Sequence, residues 1–95
     1  MDLRLTDKRV VVTGGSKGIG LATAIAFARE GAQPILVSRS ADTLAQGAHT
    51  LHAATGVTAT TLSADLGTPA GIATLMAAAG DADILVNNAG AIPGG

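Results

Sequence analysis

The segment Thr13-Gly14-Gly15-Ser16-Lys17-Gly18-Ile19-Gly20 stands between a β-branched run, Val10-Val11-Val12, and an alanine-rich helical pattern. A strand, a glycine turn and a helix start in that order constrain the fold more than any other feature of the chain. The glycines let backbone come close to an anion, and the helix start offers unpaired N–H groups and the positive end of its dipole. In an α/β chain the anion expected at such a turn is the pyrophosphate of a dinucleotide.

Strand and helix signals alternate through the rest of the sequence. Arg9 to Thr13 reads as the first strand and Gly18 to Glu30 as the first helix, with Ile19, Ala22, Ile25 and Ala26 as its apolar stripe and Gly31 as a left-handed stop. Ile35 to Val37 reads as the second strand. Ser40 is expected to cap a second helix, with Asp42 in its first turn, Leu44, Ala48 and Leu51 on one face and Gly56 at its end. Val57 to Leu62 alternates apolar residues with Thr and reads as the third strand. Thr68 and Pro69 open a third helix whose stripe is Ile72, Leu75, Met76 and Ala79, and Gly80 closes it. Ile84 to Val86 is the fourth strand.

This β-α-β-α-β-α-β order with right-handed crossovers predicts a doubly wound parallel sheet in strand order 3-2-1-4. Hydrophobic residues make up 47% of the 95 positions, yet there is one Phe and no Trp or Tyr, so the core must come from Ala, Val, Ile and Leu. Such a core suits helices packed closely on a buried sheet. The switch point falls between the first and fourth strands, whose carboxyl ends carry the polar loops Thr13 to Gly20 and Asn87 to Gly90.

These residues resemble the short-chain dehydrogenase/reductase family. Thr13-Gly14-x-x-x-Gly18-x-Gly20 has that family's glycine spacing, Asp65-Leu66 resembles its adenine-contacting pair, and Asn87-Asn88-Ala89-Gly90 matches its N-N-A-G motif. The resemblance implies a Rossmann-type NAD(P)-binding domain, of which residues 1–95 are the N-terminal part. It implies that Gly14 makes the tight turn, Gly18 admits the pyrophosphate and Gly20 permits close packing of the first helix. Ser16 and Ile19 would offer donors to ribose and phosphates. Asp65 would accept from the adenine amino group, Leu66 would cover the ring, and Asn87 and Asn88 would tie the fourth strand to Thr13 and line the ribose. Ala89 and Gly90 would follow along the cofactor.

Cofactor choice is read at the end of the second strand. An NAD site places a carboxylate there to hold the ribose hydroxyls, whereas this chain has Ser38, then Arg39 and Ser40. A guanidinium binds a 2′-phosphate through paired, charge-assisted hydrogen bonds, and Lys17 adds a second positive charge from the glycine loop. NADP is therefore expected over NAD. Other patterns carry less. Gly14-x-Ser16-x-Gly18 also spells a hydrolase nucleophile elbow with Ser16 as nucleophile, but His49 and His52 fall within the second helix, away from a strand end. Leu21 stands where a phosphate-binding loop of the Walker type needs Lys. His49 and His52 lack further metal ligands and read as a solvated face. Asp81 and Asp83 read as turn residues, and Met76 as core.

Family members transfer a hydride and a proton between NADP(H) and a carbonyl or alcohol, using a Ser, a Tyr-x-x-x-Lys and an Asn. This sequence has no Tyr, and its lysines are Lys8 and Lys17, so no catalytic residue is assigned within it. It is expected to be the cofactor-binding half of a larger reductase, inactive alone, with a non-catalytic dinucleotide-binding module as the alternative. The fourth strand would then leave an apolar sheet edge open to pairing. A net charge of −1 favours neither nucleic acid nor membrane, the absence of Cys excludes thiolate chemistry, and no apolar run reaches spanning length. The expectation is a cytoplasmic protein, homo-oligomeric at full length, acting on a small carbonyl or alcohol substrate.

Overall fold

A computed structural model describes residues 5–88. Its elements run β1 (Arg9–Thr13), α1 (Gly18–Arg29), β2 (Gln33–Ser38), α2 (Ala41–Thr55), β3 (Thr60–Ser63), α3 (Pro69–Ala79) and β4 (Ile84–Asn87). All strand pairs are parallel and the sheet order is β3-β2-β1-β4, as the sequence pattern predicts. Two helices, α1 and α2, seal one face over Val10, Val12 and Leu36. On the other, α3 covers Val11, Ile35 and Val37 through Leu75 and Ala79.

The caps act as expected where side chains provide them. Ser40 accepts from the Thr43 N–H at the start of α2, and Thr68 from the Gly71 N–H at the start of α3. Gly31 and Gly56 both take positive φ beyond helix ends, which spares a side chain the left-handed penalty.

Three expectations about faces and bounds need correction. In α1 the buried residues are Gly20, Ala24 and Ala28, while Ile19 is 78% exposed and Ala22 and Ala26 lie outward. In α3 the seat is Gly71, Leu75 and Ala79, and Met76 is not core but 61% exposed. The cause is shared. Both helices are apolar almost all round, so periodicity cannot choose a face, and close approach favours small residues: Gly20, Ala24 and Ala28 on α1, and Gly71 and Ala79 on either side of Leu75 on α3. The third strand also starts later than the alternation suggests. Val57 and Ala59 are partly buried against the α1–α2 cluster, but the ladder with β2 begins only at Thr60, opposite Ile35.

The amino ends of β1 and β4 are joined by charge. Arg9 forms an ion pair with Asp81, its backbone N–H donates to Asp83 Oδ2 at 2.9 Å, and the Asp83 N–H returns a bond to the Arg9 carbonyl. The two aspartates therefore do more than make a turn: they fasten the start of β4. Among the described residues β4 pairs with β1 alone, and Leu85 on it is 62% exposed.

The seat of α3 is testable. A Cβ on Gly71 would overlap the carbonyl of Asp65, a backbone atom that cannot step aside without moving the loop after β3. Gly71→Ala is expected to cost about 1–3 kcal/mol, seen as a fall in Tm of roughly 5–15 °C in thermal unfolding followed by circular dichroism. Ala73→Ser, on the exposed side of the same helix, should leave Tm within about 2 °C.

Candidate functional site

Because the strands are parallel, their carboxyl ends lie along one edge of the sheet, and the polar loops gather there. The β1 loop folds back over β2: the Gly14 N–H donates to the Val37 carbonyl at 2.8 Å. Gly14 takes φ +65° and Gly18 φ +60°, the left-handed region a side chain disfavours. A Cβ on Gly18 would meet nothing within 4 Å, so the backbone there faces open space, as a phosphate-admitting position requires. Gly20 differs. A Cβ there would overlap the Gly14 carbonyl and crowd the Asn88 side-chain amide at 2.9 Å, so this glycine seats the helix on its own loop and on the β4 end.

The start of α1 contrasts with those of the other helices. Lys17 at its N-cap makes no side-chain capping bond, and no acidic residue lies in the first turn. Its first N–H groups thus lack the side-chain acceptor that Ser40 and Thr68 give to α2 and α3. Such a terminus is suited to an external anion.

At the far side of the loop, Thr13 couples β1 to β4. Its hydroxyl donates to Asn87 Oδ1 at 3.0 Å and accepts from the Asn88 N–H at 2.9 Å. This places both asparagines beside the glycine loop, as the motif reading implies. Asn87 closes β4 itself instead of opening the loop. Ala89 and Gly90, also assigned to the cofactor, lie outside the described residues.

Two clefts open along this edge. The larger, about 660 Å³, runs between Gly14, Ser38, Arg39, Asp65, Leu66 and Asn87, with Ile72 and Leu75 of α3 forming its apolar wall. Its size is that of small-molecule and cofactor sites. Asp65 uses Oδ1 to accept from the Gly67 N–H at 2.8 Å, and its Oδ2 has no hydrogen bond among the described residues. The smaller cleft, about 440 Å³, is bounded by Ser16, Lys17, Ser38, Arg39, Ser40 and Thr43. Arg39 borders both. Its backbone carbonyl is held by the Ser63 hydroxyl at 2.9 Å, which fixes where the arginine leaves the sheet. Neither cleft presents a carboxylate at the end of β2, and Asp42 lines neither.

Ile19 stands exposed at the start of α1, outside the core. His49 and His52 are exposed on α2, and no group of three potential metal ligands occurs among the described residues. Ser16 is only 7% exposed, and its hydroxyl meets Thr43, not a histidine, so the nucleophile-elbow arrangement does not form among the described residues. Sequence reasoning missed Thr43, Gly47 and Ile72. Thr43 reads in sequence as one more helix residue, and only the fold brings it across to Ser16.

A model of the short chain dehydrogenase family matches residues 8–95. The chain is 44% identical over 91 residues to an uncharacterized oxidoreductase of Mycobacterium tuberculosis, covering 92% of this chain and 34% of that protein. It is 43% identical over 96 residues to the L-rhamnose 1-dehydrogenase (NAD(P)(+)) of Azotobacter vinelandii, covering 94% and 38%. Its structure is similar to L-sorbose reductase from Gluconobacter frateurii, solved with NADPH and L-sorbose. The TM-score is 0.84 at 44% identity, over 95% of this chain and 36% of that one. The chain thus spans about a third of the length of these relatives. With the sheet order, the glycine loop and the paired asparagines already in place, the match over nearly all its residues establishes that this chain belongs to the short chain dehydrogenase family.

Proposed function

We propose that this chain is the NADP(H)-holding part of an oxidoreductase that moves a hydride between the cofactor and a carbonyl or alcohol substrate. One observation carries the choice of NADP: Lys17 from the glycine loop and Arg39 from the end of β2 border one cleft, with four hydroxyl-bearing side chains and no carboxylate. Two cations brought from separate elements make a phosphate subsite, while a carboxylate in that place would repel the 2′-phosphate. The L-sorbose reductase solved with NADPH is a structural neighbour in keeping with this reading.

The residues fit the dinucleotide along its length. The open backbone at Gly18 and the uncapped start of α1 receive the pyrophosphate, with Gly14 shaping the turn, Ile19 beside it and Ser16 turned to the Lys17–Arg39 cleft. Asp65 Oδ2 accepts from the adenine amino group, and Leu66, Ile72 and Leu75 supply apolar surface for the ring. Asn87 and Asn88, held by Thr13, line the ribose, and Ala89 and Gly90 follow. When bound, NADP(H) supplies or accepts the hydride. The proton-transferring Ser, Tyr, Lys and Asn that the family uses are assigned here to residues outside this sequence, in a longer protein. Cytoplasmic location and homo-oligomeric assembly of that protein belong to the same proposal.

Arg39→Ala tests the reading directly. Loss of a charge-assisted contact should weaken NADPH binding roughly 10- to 100-fold, while NADH binding changes less than about twofold. Isothermal titration of both cofactors gives the ratio, and equal weakening of the two overturns the assignment. Thr13→Val should behave in the opposite way. It leaves the Asn88 N–H and Asn87 Oδ1 without their shared partner, so NADPH and NADH should lose affinity alike. Tm should fall as well, by an amount corresponding to about 1–3 kcal/mol.

A further inference from the structure

Ser16 is nearly buried, borders the cleft between Lys17 and Arg39, and has one hydrogen-bond partner among the described residues, the hydroxyl of Thr43 at 3.3 Å. Thr43 belongs to the first turn of α2 and borders the same cleft. Its hydroxyl has one hydrogen and two acceptors in reach, Ser16 Oγ and the Ser40 carbonyl at 3.2 Å. One turn further along the helix, Gly47 lies against the Ser16 backbone so closely that a Cβ would come within 2.6 Å of the Ser16 carbonyl oxygen. The same edge of α2 therefore holds Ser16 by its hydroxyl and by its main chain.

We propose that Thr43 is a positioning residue that sets selectivity for the 2′-phosphorylated cofactor, by holding the Ser16 hydroxyl as a donor toward the phosphate. This rests on the reading of the Lys17–Arg39 cleft as the phosphate subsite. The chemistry has two settings. When Thr43 donates to the Ser40 carbonyl, Ser16 can donate to Thr43 and its hydrogen is spent inside the protein. A phosphate oxygen is a stronger acceptor than a neutral hydroxyl, so its arrival draws the Ser16 hydrogen into the cleft, and Thr43 turns to donate to Ser16 Oγ. Nothing is orphaned by the change, because the Ser40 carbonyl still accepts from the Leu44 N–H at 3.1 Å. The chain of two hydroxyls polarises in one direction, which strengthens the outer bond.

The experiment compares binding of adenosine 2′,5′-bisphosphate and adenosine 5′-phosphate, by isothermal titration, to the full chain and its Thr43→Val, Thr43→Ser and Ser16→Ala variants. Thr43→Val keeps the shape and removes the donor. It should weaken the bisphosphate about 5-fold and leave the monophosphate within about twofold. Thr43→Ser should restore the bisphosphate affinity to within about twofold of the parent chain, a rescue that a packing role for the methyl group would not give. The double variant Ser16→Ala with Thr43→Val should lose no more than Ser16→Ala alone, because Thr43 acts through Ser16. Equal loss for both probes, no loss, or additive losses in the double variant overturn the role of Thr43. If the parent chain fails to prefer the bisphosphate, or Arg39→Ala leaves the preference intact, the phosphate-subsite reading itself falls. A preference that Arg39→Ala abolishes but Thr43→Val leaves untouched removes this inference alone.

Discussion

The structure depends on a strand that is sealed on both faces. In β1, Val10 and Val12 face the α1–α2 layer and Val11 faces α3, all essentially without solvent contact. A strand so enclosed can offer chemistry only at its ends, since any polar side chain along its length would be buried without a partner. Its neighbour β2, buried from Pro34 to Val37, shares the restriction. The carboxyl ends of the parallel strands collect along one edge, and the glycine loop, Arg39, Asp65 and the asparagines come together there.

The distance between layers follows from the same enclosure. A core built mainly from Ala, Val, Ile and Leu, with Phe27 only at its margin, lets the helices approach until backbone meets backbone, at Gly20 against Gly14, at Gly47 against Ser16 and at Gly71 against Asp65. Each of these contacts lies at a loop that borders the clefts. Packing and site geometry are thus one problem: the residues that let a helix approach also fix where the neighbouring loop stands.

Much of this was legible in the sequence. The strand order follows from the alternation of strands and helices with right-handed crossovers, the caps at Ser40 and Thr68 from local cap chemistry, and the coupling of Thr13 to the asparagines from the family resemblance. Which side of α1 and α3 would face inward was not legible. When Ile19, Ala22, Ala24 and Ala28 compete on one helix, hydrophobicity ranks Ile first, whereas contact distance ranks the small residues first. Thr43 and Gly47 escaped for another reason. Their partner, Ser16, is close only once the β2 crossover has laid α2 beside the glycine loop, and no spacing along the chain encodes that meeting. The ion pair of Arg9 with Asp81 is of the same kind, joining residues far apart in sequence.

The two ends of β4 act as one device. Its apolar run Ile84-Leu85-Val86 does not alternate with polar residues, so side-chain pattern gives it little reason to prefer one alignment against β1 over its neighbours. The alignment is instead marked twice, by Asp83 at Arg9 and by Asn87 at Thr13. The spacing from Arg9 to Thr13 equals that from Asp83 to Asn87, so both marks coincide in a single register, as the teeth of a vernier do. A slip of one residue would break both marks at once and turn Asn87 to the opposite face of the sheet. The charged lock at the amino end thereby guards the aim of a side chain at the carboxyl end, beside the glycine loop.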